Sequence, residues 1–300
     1  MNIKLNLHKK TNQYLVLFFL AFVWGGSFIL IKKGLISFSD YQVGALRIFI
    51  SFLILLPFSI KNLKKITKRN IKSLIMVGFI GNGIPAILFA IGQTKVSSSL
   101  AGILNSTTPI FTLIIGYFFY KIKGNIYNIV GIIIGLIGAF GLISYGNQNI
   151  FSGYNIYIFL ILLASIFYAT NLNEIKAKLN DLDALAITSI AFFFIGPFSG
   201  IYLFSSDFFV RLSQPDAYLN LFFISLLAIL SSVIAVTIFN ILVKYSTALF
   251  ASSVTYIIPV FAIIWGIIDG ESISLLQILF TFVIIIGVYL VNKTSISKYE

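Results

Sequence analysis

Few side chains in this 300-residue chain can do chemistry, and they fall within or beside long apolar runs. Arg47 is the only charge well inside a run, following Asp40 in the same segment. Intramembrane charges are costly and mark functional sites by default. At a helical rise of ~1.5 Å per residue Arg47 lies about 10 Å deep, within snorkelling reach of the surface. Two readings stand: a contact for a substrate carboxylate, or a structural anchor.

The other candidates are neutral. Trp24, in Trp24-Gly25-Gly26-Ser27, lies mid-run, away from the interfacial belt where tryptophan usually sits. It suits a cavity wall or gate, or plain packing beside glycines that admit close helix approach. Asn82, between Gly81 and Gly83 and ahead of Pro85, makes a second run irregular. Asn105, Ser106, Thr107 and Thr108 precede Pro109, and Thr255 and Tyr256 precede Pro259. A proline within a helix frees a carbonyl, which at membrane depth is tolerated only against protein or a water-filled cavity. The two prolines are therefore expected to break helices that line a path, with packing kinks as the alternative. Asn171, Asn173, Asn240, Ser231, Ser232 and Thr237 either meet a substrate or bond between helices. The candidate substrate-binding set is Trp24, Ser27, Arg47, Asn82, Asn105, Thr108, Pro109, Asn171, Asn240, Thr255, Tyr256 and Pro259.

What is missing narrows the chemistry further. With no cysteine there are no disulfides, no thiol catalysis and no thiolate metal sites. The single histidine, His8, sits in the basic N-terminal tail, so histidine acid–base chemistry inside the membrane is excluded. An intramembrane enzyme would need convergent His, Cys or paired acids at depth, and no phosphate-binding G-x-x-x-x-G-K-[ST] loop is present for ATP. No catalytic residue, metal or cofactor is expected. Glu174, Asp269 and Glu271 lie near helix ends, where solvated charge is the expectation, and they are the few acids available for coupling protons. None lies at a run's midpoint, which argues against a buried acid relay.

The elements that position these residues follow from composition. A mean hydropathy of +1.01, with 59% hydrophobic and 10% charged residues, describes a membrane protein. The apolar runs are long enough to cross about 30 Å of hydrocarbon as helices, and they are continuous rather than alternating as a β-barrel requires. Ten transmembrane helices are expected, near 13–31, 40–60, 71–92, 98–119, 126–144, 154–174, 185–204, 219–243, 248–268 and 274–292. Turns fall between them at Gly146-Asn147-Gln148-Asn149, Ser213-Gln214-Pro215-Asp216 and Asp269-Gly270-Glu271, among others. The first run superficially resembles a signal peptide but is too long and lacks a cleavage pattern, so it reads as a retained helix.

Sixteen Lys and Arg residues fall on one side of this arrangement, among them Lys4, Lys9, Lys10, the cluster from Lys61 to Lys72, Lys123 and Lys298. Four fall on the other: Lys32, Lys33, Lys95 and Arg211. The positive-inside rule then puts both termini in the cytoplasm. It also explains the net charge of +12 as a topology signature, with no nucleic-acid partner.

The runs also repeat. A shift of 150 positions brings Pro109 onto Pro259, Gly116 onto Gly266, Ala101 onto Ala251 and Asn105 onto Thr255. AFVWGGSFILIKKGL from Ala21 lines up with SIFYATNLNEIKAKL from Ser165, pairing Trp24 with Tyr168, Ser27 with Asn171 and Lys32 with Lys176. The chain therefore divides into two five-helix repeats, residues 1–147 and 148–300. An odd number of spans per repeat inverts one copy relative to the other. Gly131-x-x-x-Gly135, followed by Gly138 and Gly141, forms a close-packing stripe, within the protein or between protomers of a homodimer.

Four stretches carry a family resemblance: WGGSFILIKKGL, the lone Arg47, VSSSLAGILNSTTPIFTLIIG and YIIPVFAIIWGIIDGE. Together they resemble the EamA-type permeases of the drug/metabolite transporter superfamily over nearly the whole chain. The resemblance implies a ten-helix, two-repeat carrier with a central cavity in the bacterial inner membrane, exporting amino acids or related metabolites. Gly270-Glu271 fits the family pattern after the second proline helix, whereas the first half has Tyr120-Lys121, so the two sides differ there. The function expected is secondary transport of a small amphipathic compound, with or without coupled protons, by a monomer or homodimer among membrane lipids. A passive facilitator or channel, and a lipid-linked head-group translocase, are the alternatives on the same scaffold.

Overall fold

A computed structural model of the protein describes residues 9–122, 125–145, 154–246 and 248–296. The expected turn at Gly146 to Asn149, the boundary at 147/148, and Lys4, His8, Lys123 and Lys298 lie outside the described residues. Helices and connecting turns, with no strand, make up the described residues. That is what apolar runs require where lipid offers the backbone no hydrogen-bond partner.

Among the described residues, eight helices are long and apolar enough to cross a membrane: α1 (Lys10–Gly34), α2 (Asp40–Lys65), α3 (Ile71–Gln93), α4 (Ser98–Tyr120), α6 (Tyr154–Lys178), α7 (Ala184–Ser205), α8 (Ala217–Tyr245) and α9 (Phe250–Ile268). Between and after them, α5 (Ile126–Tyr145) and α10 (Leu275–Ile296) carry shorter apolar stretches, Ile126–Gly141 and Leu275–Leu290. Polar caps set several starts. Ser39 and Gln42 form a reciprocal capping box on α2, Ser97 accepts from Leu100 N on α4, and Asp183 accepts from Ala186 N on α7.

Four of these helices are irregular, three of them at places the sequence marks. α4 divides into Ser98–Asn105 and Thr108–Tyr120, with Pro109 as the second residue of the second piece. α9 divides in the same way, through the tight turn Ser253–Tyr256 into Ile258–Ile268 with Pro259 second. Proline is at home there, because the first-turn N–H groups of a helix have no internal partner. In α3, Phe79–Gly83 takes a π-helical turn around Asn82, and Leu227–Ala235 does so in α8. Such turns shift the hydrogen-bond register and recur at functional sites.

Packing pairs α2 with α7 and α5 with α10. α1 packs on α8 and α9, while α6 packs on α3 and α4. Raising or lowering each number by five exchanges these contacts: α1 on α9 becomes α6 on α4, and α1 on α8 becomes α6 on α3. The glycine stripe of α5 faces α10 inside the protein. A Cβ on Gly287 would stand 2.6 Å from Gly135 Cα and 2.7 Å from the Gly131 carbonyl oxygen. The outward faces are apolar and open, with Phe118, Phe119, Phe140 and Tyr218 more than half exposed.

Candidate functional site

The irregular segments converge on a cavity of about 110 Å³, enough for several waters. Its walls come from α1, α2, α3, α4, α6, α7, α8 and α9, while the α5–α10 pair supplies none of them. Nine of the twelve candidates line it: Trp24, Ser27, Arg47, Asn82, Asn105, Thr108, Asn171, Asn240 and Thr255.

Arg47 enters from α2. Its Nε donates to Ser232 Oγ of α8 at 2.7 Å, and its charge is within electrostatic reach of the Tyr168 hydroxyl on α6. No carboxylate among the described residues lies within ion-pair distance of Arg47. The guanidinium thus has a fixed geometry and an unneutralised charge, the state of a group able to receive an anion.

The neutral polar groups are tied to broken backbone. Trp24 Nε1 donates to the Ser231 carbonyl at 3.2 Å in the π-helical part of α8, and the Ser27 and Ser231 hydroxyls share a 2.6 Å bond. Asn82 donates to the Val77 carbonyl at 2.9 Å across the π-turn of α3. Thr108 Oγ1 donates to the Asn105 carbonyl at 2.7 Å, and Thr255 Oγ1 to the Ser252 carbonyl at 2.9 Å, the same device at both helix breaks. Asn240 donates to Thr188 Oγ1 at 3.0 Å. Asn171 Oδ1 is buried with no hydrogen-bond partner. Its amide lies over Gly81, where a Cβ would meet Asn171 Nδ2 at 2.8 Å, so the glycine is what lets it reach the cavity. Aromatic rings complete the wall: Trp24 meets Phe239 edge-on at 5.1 Å, and Phe89 stacks on Tyr168 at 5.8 Å.

Three candidates do not line the cavity. Pro109 and Pro259 are buried in the first turns of their half-helices, and the residues bordering each break, not the prolines, reach the space. Tyr256 turns away and donates its hydroxyl to the Val288 carbonyl of α10 at 2.5 Å. Conversely, Tyr168, Ser232, Phe28, Phe89, Phe192 and Phe239 line the cavity without having been in the candidate set. Ser232 is legible as a polar group inside an apolar run, and the pairing of Trp24 with Tyr168 is the signal for the tyrosine. The phenylalanines have none, because 31 are scattered along the chain.

The acids correct the expectation of solvated charge. Glu271 has a side chain only 7% exposed, and it accepts from Ser98 N at 2.9 Å, Ser99 N at 3.0 Å, Ser99 Oγ at 2.7 Å and Lys32 Nζ at 3.1 Å. A carboxylate at the start of α4 also meets the positive end of that helix. Asp269 alongside binds Lys32 at 2.8 Å and Lys33 at 2.5 Å. Burial works to raise the Glu271 carboxyl, but the hydrogen bonds from Ser99, Ser98 and Lys32 outweigh it and hold it below its ordinary value. Glu174 is 3% exposed and accepts from Ser73 Oγ at 2.6 Å, Tyr120 OH at 2.5 Å and Lys178 Nζ at 3.1 Å. Lys176, the counterpart of Lys32, meets no acid among the described residues and instead donates to the Val243 and Ser246 carbonyls at 3.0 and 2.6 Å. The two related lysines are therefore held by different chemistry.

Comparison with known proteins gives a consistent picture. The model of a family described as "EamA-like transporter family" matches residues 11–144 and again 155–293. The "Uncharacterized inner membrane transporter YedA" of Escherichia coli (strain K12) is 27% identical over 294 residues, covering 94% of this chain and 90% of that protein. The "Uncharacterized transporter YdfC" of Bacillus subtilis (strain 168) is 29% identical over 142 residues, 47% of this chain and 46% of that protein. A solved crystal structure superposes with a TM-score of 0.64 at 13% identity, covering 97% of this chain and all of that one, a likeness of fold alone.

Proposed function

Because the chain belongs to the EamA-like transporter family, we propose that this multi-pass inner-membrane transporter is a secondary carrier. It moves a small amphipathic metabolite through the Arg47 cavity by alternating access. The observation that carries this reading is the cavity: one fixed, unneutralised cation and several amides, set in apolar and aromatic walls drawn from both halves of the chain. An amphipathic solute fits such a lining, with its carboxylate on Arg47 and its apolar body against the rings. Amino acids and related acids fall in this class, and export from the cytoplasm is the direction assigned.

The five-by-five exchange of helix contacts and the two matches to the family model support ten membrane spans in two inverted repeats, 1–147 and 148–300, and the excess of Lys and Arg on one side supports cytoplasmic termini. In that arrangement the halves rock about the cavity and expose it to each side in turn. α5 and α10, packed on each other outside the cavity, form a static flank. With the glycine stripe used inside the protein, one protomer holds a complete site.

Counterflow in proteoliposomes, with a panel of amino acids and organic acids and with or without a pH gradient, tests the proposal. Removing one partner of a desolvated charge pair costs about 2–5 kcal/mol, so Arg47→Ala weakens half-saturation roughly 30-fold or more. Asn105→Ala weakens it less. Saturable exchange unaffected by either variant would refute the site, and flux without counterflow would replace the carrier by a channel. Exchange of lipid-linked head groups alone would replace it by a translocase.

A further inference from the structure

The charge inventory of the cavity points past "amphipathic" to one chemical class, and the inference rests on the reading of this cavity as the transport site. Arg47 is the one ionised side chain among the lining residues; the rest are amides, hydroxyls, aliphatic groups and rings. A carboxylate placed on the guanidinium makes the loaded cavity neutral. An α-ammonium carried by the same solute leaves it with one uncompensated positive charge. Nothing in the wall answers that charge. The oxygens of Asn82 and Asn240 can accept a hydrogen bond, yet they are neutral dipoles and do not balance an ion that has left water. Phe89 stacks on Tyr168 and Trp24 meets Phe239 edge-on; the ring faces left open attract a cation but, like the amides, do not neutralise it. The nearest described acid in sequence to the wall, Glu174, is committed to Ser73, Tyr120 and Lys178.

We infer that the preferred substrates are monocarboxylates with an apolar body and no ammonium group: organic acids, in preference to the zwitterionic amino acids of the same shape. Asn171 holds its amide oxygen buried against Gly81 without a partner. It is the place where a carboxylate introduced into the wall disturbs the fewest existing bonds.

The test uses three solutes with one hydrocarbon body: 4-methylpentanoate, leucine and 3-methylbutylamine. The chain has two tryptophans, so the Trp265→Phe protein in nanodiscs leaves Trp24, in the cavity wall, as the only indole reporter. 4-Methylpentanoate is expected to half-saturate the fluorescence change at a concentration at least tenfold below leucine, and the amine to give no saturable change. In the Arg47→Gln protein the acid loses that advantage. In the Asn171→Asp protein, where the wall gains a negative charge, leucine matches or overtakes the acid. Leucine or the amine binding as tightly as the acid in the unaltered cavity overturns the inference. So does a lack of response to all three solutes. If counterflow of other solutes persists in that case, the transporter reading stands and only the substrate class falls; if no solute exchanges, both fall.

Discussion

Glu271→Gln is the substitution for which the structure gives the clearest magnitude. The carboxylate accepts four hydrogen bonds, two of them from backbone N–H groups at the start of α4. A glutamine keeps the size but offers one acceptor oxygen, and it points an NH2 group at donors. At least one buried N–H then loses its partner. Charge-assisted bonds are worth about 1.5–3 kcal/mol each, and the lost anion at a helix start adds about 0.3–1 kcal/mol. The expected cost is ~3 kcal/mol, on the order of 100-fold in the equilibrium that holds the end of α9 against α4. Lys32→Ala removes only a 3.1 Å contact to Glu271 and a 2.8 Å contact to Asp269 from a side chain 39% exposed. The lysine end of both pairs is open to solvent, and screening there holds their worth to about 1 kcal/mol. Thermal unfolding of the purified protein should therefore drop by roughly 5–10 °C for Glu271→Gln and by about 2 °C for Lys32→Ala. The chain has no cysteine of its own, so Ile31→Cys, beside Lys32 in the cavity wall, reports opening by its rate of reaction with a polar maleimide. That rate should rise at least tenfold with Glu271→Gln. An equal loss from Lys32→Ala, or unchanged stability with Glu271→Gln, would refute the claim that the capped helix start, not the ion pair, holds this corner.

Two further outcomes follow from the same geometry. The Glu271 and Asp269 carboxyls both lie below their ordinary values of 4.5 and 3.8 in the folded protein, since burial is outweighed for each by its hydrogen bonds and charges. Their contribution to stability is accordingly complete above those ordinary values and is lost as the pH falls through the lower folded ones; unfolding temperature should be flat from neutrality to about pH 5 and fall below it, and Glu271→Gln should shrink the acid-side drop. Gly287→Leu forces a side chain into the Gly131 and Gly135 backbone; overpacking of this kind costs typically 1–3 kcal/mol or more, to be read as lower thermal stability with no change in oligomeric state.

Residue composition, with the positions of a few prolines and glycines, is enough to set the class of the protein and most of the places where its helices break. Composition left helices as the form its backbone could take in lipid. The prolines at 109 and 259, and the glycines around Asn82, mark three of the four irregular segments. Nine candidate residues were legible because a polar group inside an apolar run has few places to go, and a lone Arg47 fewer still. Which polar groups meet in space is a property of packing. Pro109, Pro259 and Tyr256 sit in the right segments, but helical rotation turns them to other neighbours, and a rotation of one residue, 100°, is invisible to spacing alone. Tertiary structure alone brought Ser232 to Arg47 across 185 residues and Glu271 to Ser98 across 173. It thereby turned acids that read as loop charge into a buried cap. Those pairings depend on how the two halves dock, a sum of many weak contacts that no local pattern encodes.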